Sequence, residues 1–185
     1  SNDINQRSNA GFLLTNNDPS CFETIHTIVS PTLDSIKYWF LKKSVNLFGE
    51  AFVKIIAYEK TGIGSTDTGI SIIKDLWSKK GIEKSALQII DGSGLSPSNR
   101  VTTNALVKIM QYTRQQQWYG SFYESLPVIN SIKMKDGYIG GVRSYTGYIK
   151  SKTGSEYTFS FIVNNIDGDP VAAKEKIWKI LDLLK

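Results

Sequence analysis

The chain has 185 residues, a length that fits one domain and is short for two. Apolar residues make up 41% of it and charged residues 21%, which is the composition of a globular protein rather than a disordered one. The 22 Lys and Arg residues exceed the 17 Asp and Glu residues by a net charge of +5. Since this charge is scattered, with no basic stripe, the sequence argues against nucleic-acid binding. No apolar run approaches the roughly 20 residues of a membrane span.

The chain contains one cysteine, Cys21, and one histidine, His26. An internal disulfide is therefore excluded, and a zinc site built from these residue types lacks most of its ligands. A Ser-His-Asp triad would have to use His26, which stands beside the apolar Ile25 and is more typical of a histidine that simply packs. We expect no metal centre in this chain.

Two helices are predicted after an irregular, Asn- and Ser-rich start at residues 1–19. Ser30 and Pro31 favour a helix start, since Ser caps helices and Pro suits their first position. Ser44 is predicted to begin a second helix, which Gly62 ends. Apolar residues at a three-four spacing predict a buried stripe on this second helix: Phe48, Ala51, Phe52, Ile55 and Ile56.

A third helix is predicted over residues 67–80, with Gly81 ending it. Residues 87–90 are apolar enough for a short strand, and residues 91–94, Asp-Gly-Ser-Gly, have the composition of a turn. Thr102 or Thr103 is predicted to cap a fourth helix, and an aromatic cluster at residues 118–123 predicts another short one.

From Ser131 onward the period of apolar residues changes from about 3.6 to 2, which indicates strands. Tight turns, among them residues 152–155, predict an antiparallel meander, and Asp169 with Pro170 predicts a closing helix. The fold class expected is α+β, a helical cluster packed on an antiparallel meander with a C-terminal helix. We expect residues 20–185 to belong to one domain.

Three sequence blocks follow one another in a fixed order. The first, Ser44-Val45-Asn46, is the only Ser-x-Asn in the chain. The second, residues 91–102, reads Asp-Gly-Ser-Gly-Leu-Ser-Pro-Ser-Asn-Arg-Val-Thr, and the third includes Lys135-Asp136-Gly137. Together they resemble penicillin-binding-protein-4 type D-alanyl-D-alanine carboxypeptidases/endopeptidases, relatives of the serine β-lactamases, whose boxes are S-x-x-K, S-x-N and K-T-G. The resemblance covers roughly residues 20–185 and implies a partial β-lactamase/penicillin-binding-protein-like fold.

The third box has competing candidates, because Lys-Thr-Gly occurs literally at residues 60–62 and 152–154. The first string ends a predicted helix and the second joins two predicted strands. Residues 135–137 precede Gly-Val-Arg-Ser-Tyr-Thr-Gly-Tyr, which is similar to the strand that follows the box in the family. We favour residues 135–137, with Lys152 as the alternative.

The resemblance implies a role for each box residue. The Ser44 hydroxyl would relay a proton, Asn46 would hold a substrate amide, and the Lys135 ammonium would favour proton transfer and anion binding. Gly137 would let a peptide lie along the strand edge, and the Tyr138 N–H would be an oxyanion donor. Taken singly, Ser44 is more typical of a helix N-cap and Lys135 of a solvated strand lysine, but together with residues 91–102 they favour an active site.

Asp136 departs from the family pattern, which has Thr or Ser there. A hydroxyl donates a hydrogen bond to the carboxylate at the end of the substrate, whereas an ionised Asp would repel that carboxylate. Either recognition is altered, with Lys135 pairing Asp136, or activity is weak or lost. The alternative function is thus a non-catalytic binding or scaffold relative that retains the fold.

The nucleophile box is the second departure. The only Ser-x-x-Lys, residues 71–74, follows Ser44 instead of preceding it. We therefore expect the chain to be the C-terminal part of a longer serine-type enzyme and to be inactive alone, since it lacks an acylated serine. The resemblance implies acyl-serine chemistry, no cofactor, peptidoglycan stem peptides and β-lactams as partners, and a periplasmic or other extracytoplasmic location. An exposed sheet edge also leaves room for a second copy, a homo-oligomer.

Overall fold

Residues 26–185, the part of the chain that the computed structural model describes, contain six α-helices, one short 3₁₀-helix at Lys84–Ala86, and six strands. The helices are α1 Leu33–Lys43, α2 Asn46–Thr61, α3 Thr66–Lys79, α4 Thr103–Arg114, α5 Tyr119–Ser125 and α6 Pro170–Asp182. The strands are β1 Leu87–Gln88, β2 Arg100–Val101, β3 Val128–Ile129, β4 Ile132–Ile139, β5 Val142–Lys150 and β6 Glu156–Val163. Residues 31–185 form one compact unit. Helices followed by strands and a closing helix confirm the predicted α+β class.

The main sheet is an antiparallel meander in the order β3-β4-β5-β6, as the change of period predicted. Lys135 pairs with Thr146 on β5, and Gly137 pairs with Ser144. The short β3 pairs only with residues 132 and 133 at the start of β4. Within the described residues, the second half of β4 therefore has one edge without a strand partner.

Helices cover both faces of this sheet. On one face α6 closes a core whose members come from three strands and the helix: Ile132, Met134, Tyr145, Ile149, Phe159, Ile177 and Leu181. On the other face Tyr148 anchors α4, because its hydroxyl lies 2.7 Å from both Thr113 Oγ1 and the Met110 carbonyl. Burial raises the pKa of Tyr148 to about 12, against the opposing effect of the Thr113 hydrogen bond. This phenol therefore stays protonated at neutral pH and serves as a structural contact between β5 and α4.

Several predicted helix and turn signals are confirmed. Thr102 caps α4 through the N–H of Ala105, and Asp169 caps α6, with Pro170 as its first residue. Gly62 ends α2 in the left-handed conformation. The residues 152–155 turn joins β5 to β6. The predicted strand at 87–90 is shorter, with only Leu87 and Gln88 paired to β2.

Two predictions about the first helices are wrong. The N-cap of α1 is Thr32, not Ser30, since the Thr32 hydroxyl accepts from the Ser35 N–H. Ser44 does not begin α2; it ends α1 in the left-handed region at φ 50°, and α2 begins at Asn46. The N-cap position of α2 is Val45, without a side-chain cap. Ser44 thus lies at the corner between the two helices.

The buried stripe of α2 also differs from the prediction. The buried residues are Gly49, Val53 and Ala57, at a spacing of four, while Ile55 is 54% exposed. Small residues form the contact because the backbone itself approaches its neighbours. A Cβ on Gly49 would lie 2.2 Å from the Gly92 carbonyl oxygen, and one on Gly69 would lie 2.1 Å from the Val53 carbonyl oxygen. Glycine is favoured at Gly49 and Gly69 because a larger side chain would not fit there.

In residues 26–185 we find no helix that is long and apolar enough to cross a bilayer. The predicted irregular segment at residues 1–19, and Cys21, lie outside the described part of the chain, and the domain boundary at residue 20 stays a prediction.

The Gly49–Gly92 contact predicts that Gly49→Ala lowers the free energy of unfolding by about 1–3 kcal/mol, since the new methyl must displace backbone. The measurement is urea unfolding followed by tryptophan fluorescence. Gly120→Ala is the matched control: Gly120 lies in α5 with open space around its Cβ position. This control should be neutral or stabilising by up to about 1 kcal/mol. Equal stability of Gly49→Ala and wild type would contradict the packing argument.

Candidate active site

A cleft of about 500 Å³ lies between the α1–α2 corner, the loop after β1 and the second half of β4. Every residue predicted for the site lines it: Ser44, Asn46, Lys135, Asp136, Gly137 and Tyr138. These residues come from two segments far apart in the chain, the corner and the strand. The remaining lining residues are Phe40, Ser93, Gly94, Leu95 and Ile139.

Ser44 and Asn46 are both exposed at the corner between α1 and α2. The left-handed turn at Ser44 and the helical start at Asn46 give the two residues different backbone conformations. The Ser44 hydroxyl and the Asn46 carboxamide both line the cleft. The hydroxyl can relay a proton, and the carboxamide can both donate and accept hydrogen bonds with a bound peptide.

The loop at residues 91–99 forms another wall of the cleft, and a carboxylate on α2 fixes this loop through hydrogen bonds. Glu50 Oε1 accepts from the N–H groups of Gly92 and Ser93 at 2.8 and 3.0 Å. These bonds and the Gly49–Gly92 contact fix the loop beside the N-terminal end of α2. Glu50 therefore has a structural role in positioning this loop.

Asp91 organises the same loop from within. Its carboxylate accepts from the N–H groups of Gly94 at 2.5 Å and Ser96 at 2.7 Å, and from the Asn99 side chain. Burial raises the pKa of Asp91, but the hydrogen bonds from Ser96, Gly94 and Asn99 outweigh it and hold the pKa below its usual range. Asp91 therefore stabilises the turn that the composition of residues 91–94 predicted.

The unpaired edge of β4 forms the floor of the cleft. The N–H of Met134 donates to the Pro127 carbonyl at 3.1 Å, on the side away from β5. Backbone N–H groups alternate between the two edges of a strand, so the N–H groups of Asp136 and Tyr138 point to this same side. Beyond Lys133 that side has no strand partner in the described residues. The Tyr138 N–H is accordingly available to a ligand.

A side chain at Gly137 would require a neighbouring hydroxyl to move away. A Cβ at this position would lie 2.7 Å from the Ser144 hydroxyl on β5. The Tyr138 ring lies under the Arg143 guanidinium, 4.7 Å from its centre. The backbone around residues 136–138 is thus supported by cross-strand contacts on β5.

Lys135 is neither free nor simply solvated. Its Nζ donates to the Asp136 carbonyl oxygen at 2.9 Å and to Asp136 Oδ1 at 3.0 Å. The Asp136 side chain keeps 43% of its surface exposed and that of Lys135 keeps 28%. The structure therefore contains the Lys135–Asp136 ion pair that the sequence analysis considered.

The competing motifs lie elsewhere. Lys152-Thr153-Gly154 forms the β5–β6 turn, and Lys60-Thr61-Gly62 ends α2. Ser71 and Lys74 are on α3 and line a different cavity of about 390 Å³. None of these residues, and no histidine, contributes to the cleft as the described residues define it.

The sequence reasoning missed Phe40, Leu95 and Ile139 as lining residues. Phe40 and Ile139 carry no motif, since each is an apolar residue within a predicted helix or strand. Leu95 was within the Asp-Gly-Ser-Gly-Leu-Ser block, so that block carried the signal for a cleft wall. Leu95 is 61% exposed, which leaves an apolar surface beside the polar corner.

The Asp91 network predicts a pH-dependent stability. Because the folded-state pKa is depressed, its contribution is fully present above the ordinary Asp pKa of about 4 and is lost as the pH falls through the folded-state value. Asp91→Asn should cost about 1 kcal/mol at pH 7, a figure that allows for solvent screening. In urea unfolding at pH 7 and pH 3, the gap between variant and wild type should shrink at pH 3. A gap independent of pH would contradict the role of the ionised carboxylate.

Comparison with known proteins gives a consistent result. Residues 8–184 match the family model described as the D-Ala-D-Ala carboxypeptidase 3 (S13) family. The D-alanyl-D-alanine carboxypeptidase of Actinomadura sp. (strain R39) is 28% identical over 177 residues, covering 84% of this chain and 33% of that protein. DacB of Haemophilus influenzae, also a D-alanyl-D-alanine carboxypeptidase, is 20% identical, covering 80% of this chain and 35% of its own length.

Solved structures agree on the fold. Penicillin-binding protein 4 (dacB) of H. influenzae, in complex with a β-lactam, has a TM-score of 0.72 at 20% identity, covering 82% of this chain and 41% of that one. Bd3459, a predatory peptidoglycan endopeptidase of Bdellovibrio bacteriovorus, has a TM-score of 0.62 at 15% identity, covering 91% of this chain and 48% of that one. The chain spans about a third of the curated relatives' length. The resemblance inferred from the three sequence blocks is confirmed, and the chain belongs to the D-Ala-D-Ala carboxypeptidase 3 (S13) family.

Proposed function

We propose that this chain is the C-terminal part of a serine-type D-Ala-D-Ala carboxypeptidase/endopeptidase that acts on peptidoglycan peptides through an acyl-serine intermediate. One observation carries the proposal: Ser44, Asn46 and Lys135 line a single cleft beside an unpaired strand edge. A hydroxyl, a carboxamide and an ammonium in one cleft can relay a proton, hold a substrate amide and stabilise developing negative charge around an acylated serine.

The geometry supports a separate role for each of these groups in that reaction. A peptide substrate pairs with the free edge of β4, where the N–H of Tyr138 donates to the carbonyl oxygen as negative charge develops on it. Asn46 holds a neighbouring amide of the peptide. Ser44 passes the proton of the attacking hydroxyl to the leaving amine, and the Lys135 charge favours that transfer.

The acylated serine and its activating lysine are proposed to come from a part of the protein outside this chain. Two observations support this. Ser71 and Lys74, the only Ser-x-x-Lys, line another cavity. The curated relatives are about three times as long as the matched region, since it covers 33% and 35% of their lengths. On this proposal the chain by itself has no peptidase activity.

The partners follow from the same proposal. Stem peptides and β-lactams would bind in the cleft of the full-length protein, in an extracytoplasmic compartment where peptidoglycan is found. The likeness to a penicillin-binding protein solved with a β-lactam supports this assignment. The predicted homo-oligomer has no support from the comparisons and stays a prediction.

A second candidate, a non-catalytic binding or scaffold relative, is favoured by one observation. The Lys135 ammonium is already paired with Asp136, so its charge is less available for catalysis. The two candidates differ in whether the full-length protein forms a covalent acyl-enzyme.

Labelling with a fluorescent penicillin tests the proposal. We expect the full-length protein to be labelled, and Ser44→Ala and Lys135→Ala to slow labelling by about 10²- to 10⁴-fold, because each removes a group that assists proton transfer. Lys152→Ala is the matched control: it changes the lysine of the literal Lys-Thr-Gly string at the β5–β6 turn and should label at the wild-type rate. The isolated 185-residue chain should not be labelled.

Each other result has a definite meaning. Labelling of the isolated chain would place the nucleophile within it and refute the proposal of an external serine. Loss of labelling in Lys152→Ala with retention in Lys135→Ala would refute the assignment of the third box. No labelling of the wild-type full-length protein would favour the non-catalytic candidate.

A further inference from the structure

Strand β5 does not hold Tyr138 through backbone hydrogen bonds. The N–H and carbonyl of Tyr138 point to the open edge of β4, because they alternate with those of Gly137, which point to β5. Tyr138 therefore faces Arg143 on β5 as a pair without hydrogen bonds between the two backbones. The turn that follows contains Gly140 and Gly141, both at positive φ, 44° and 75°. Side-chain contacts are thus what can fix the backbone at Tyr138.

The Arg143 side chain makes such a contact. Its guanidinium lies over the Tyr138 ring, 4.7 Å from the ring centre, and its Nη1 donates to the Tyr145 hydroxyl at 3.3 Å. Tyr145 is 1% exposed and belongs to the core that packs against α6. A pair without backbone hydrogen bonds brings its two side chains close together, which favours this stacking. Arg143 thus connects the Tyr138 ring to a fixed part of the core.

The remaining contacts of Arg143 do not explain why an arginine stands here. Its Nε is buried and has no hydrogen-bond partner among residues 26–185. No carboxylate in that part of the chain forms an ion pair with it. A buried donor without a partner lowers the free energy of unfolding, so a native structure that keeps one calls for a further reason. An uncharged side chain of similar length would pack here without that cost.

We propose that Arg143 is a positioning residue for the oxyanion donor: by stacking on the Tyr138 ring, it fixes the Tyr138 N–H where the substrate carbonyl oxygen develops its charge. This inference rests on the proposed function, in which that N–H stabilises the transition state. Oxyanion donors act at a fixed distance, and a small displacement lowers the rate steeply. Because the charge develops only in the transition state, a misplaced donor lowers kcat and leaves KM nearly unchanged.

The test measures kcat and KM of the full-length protein for a peptide that ends in D-Ala-D-Ala. Arg143→Met keeps the length of the side chain but removes the guanidinium, and should lower kcat about tenfold with KM changed less than about twofold. Arg143→Lys keeps a positive charge over the ring and should recover most of the lost rate. Arg143→Gln takes the place of Arg143→Met if the latter has a lowered thermal midpoint.

A double-variant cycle separates positioning from an unrelated packing defect. Tyr138→Ala removes the ring but keeps the N–H, and it should lower kcat by a similar factor of about ten. If Arg143 acts through the Tyr138 ring, Arg143→Met should have almost no further effect in a Tyr138→Ala protein. Independent effects would instead multiply to a loss of about 100-fold.

Arg114→Met is the matched control. The Arg114 guanidinium on α4 also lies over a tyrosine ring, 5.6 Å from the centre of Tyr148, but neither of these two residues lines the cleft. The variant therefore loses an arginine–tyrosine contact of the same kind away from the site. It should keep kcat and KM at their wild-type values.

Three results would overturn the inference. They are an unchanged kcat in Arg143→Met, effects of Arg143→Met and Tyr138→Ala that multiply, and an equal loss of kcat in Arg114→Met. Each of them leaves the proposed peptidase function standing. A wild-type protein that neither cleaves the peptide nor forms an acyl-enzyme with a fluorescent penicillin would refute the proposed function and this inference with it.

Discussion

The close backbone contact between Gly49 on α2 and Gly92 in the loop after β1 is the constraint on which the cleft depends. No side chain fits between them, since a Cβ on either residue would meet the carbonyl of the other at 2.2 to 2.3 Å. The adjacent Glu50 carboxylate accepts hydrogen bonds from the Gly92 and Ser93 N–H groups. The Asp91 carboxylate accepts from N–H groups further along the same loop and so fixes its turn. The wall at Ser93, Gly94 and Leu95 is therefore positioned from the same helix that begins at Asn46.

Strand β4, which forms the floor of the cleft, is held in place in a different way. Among residues 26–185, the second half of β4 has a strand partner on one side only, and α6 packs beneath the sheet through Met134 and its neighbours. A rigid strand with an open edge presents backbone donors at fixed positions, which suits the binding of an extended peptide. The Lys135–Asp136 ion pair lies on this strand.

Local signals in the sequence were sufficient for most of the fold. The change of period at Ser131, the caps at Thr102 and Asp169 and the stop at Gly62 depend on short-range chemistry, and the structure contains each of them. The buried stripe of α2 was mispredicted because backbone approach at Gly49 depends on a partner loop that periodicity along one helix does not describe. Ser44 was mispredicted as a helix start because a left-handed non-glycine residue is rare and has no sequence signature. The boxes predicted which residues line the cleft, and the pairing of Lys135 with Asp136 was one of the alternatives that the sequence left open.

A crystal structure of the full-length protein acylated by a β-lactam tests the central claim most directly. The account predicts that the acyl group lies in the cleft described here, with Ser44 Oγ, the Asn46 side chain, Lys135 Nζ and the Tyr138 N–H within hydrogen-bond distance, about 2.6–3.2 Å, of the adduct or its nucleophile. An adduct bound to a serine elsewhere, with residues 44, 46 and 135 distant from it, would contradict the claim that these three residues serve one reaction.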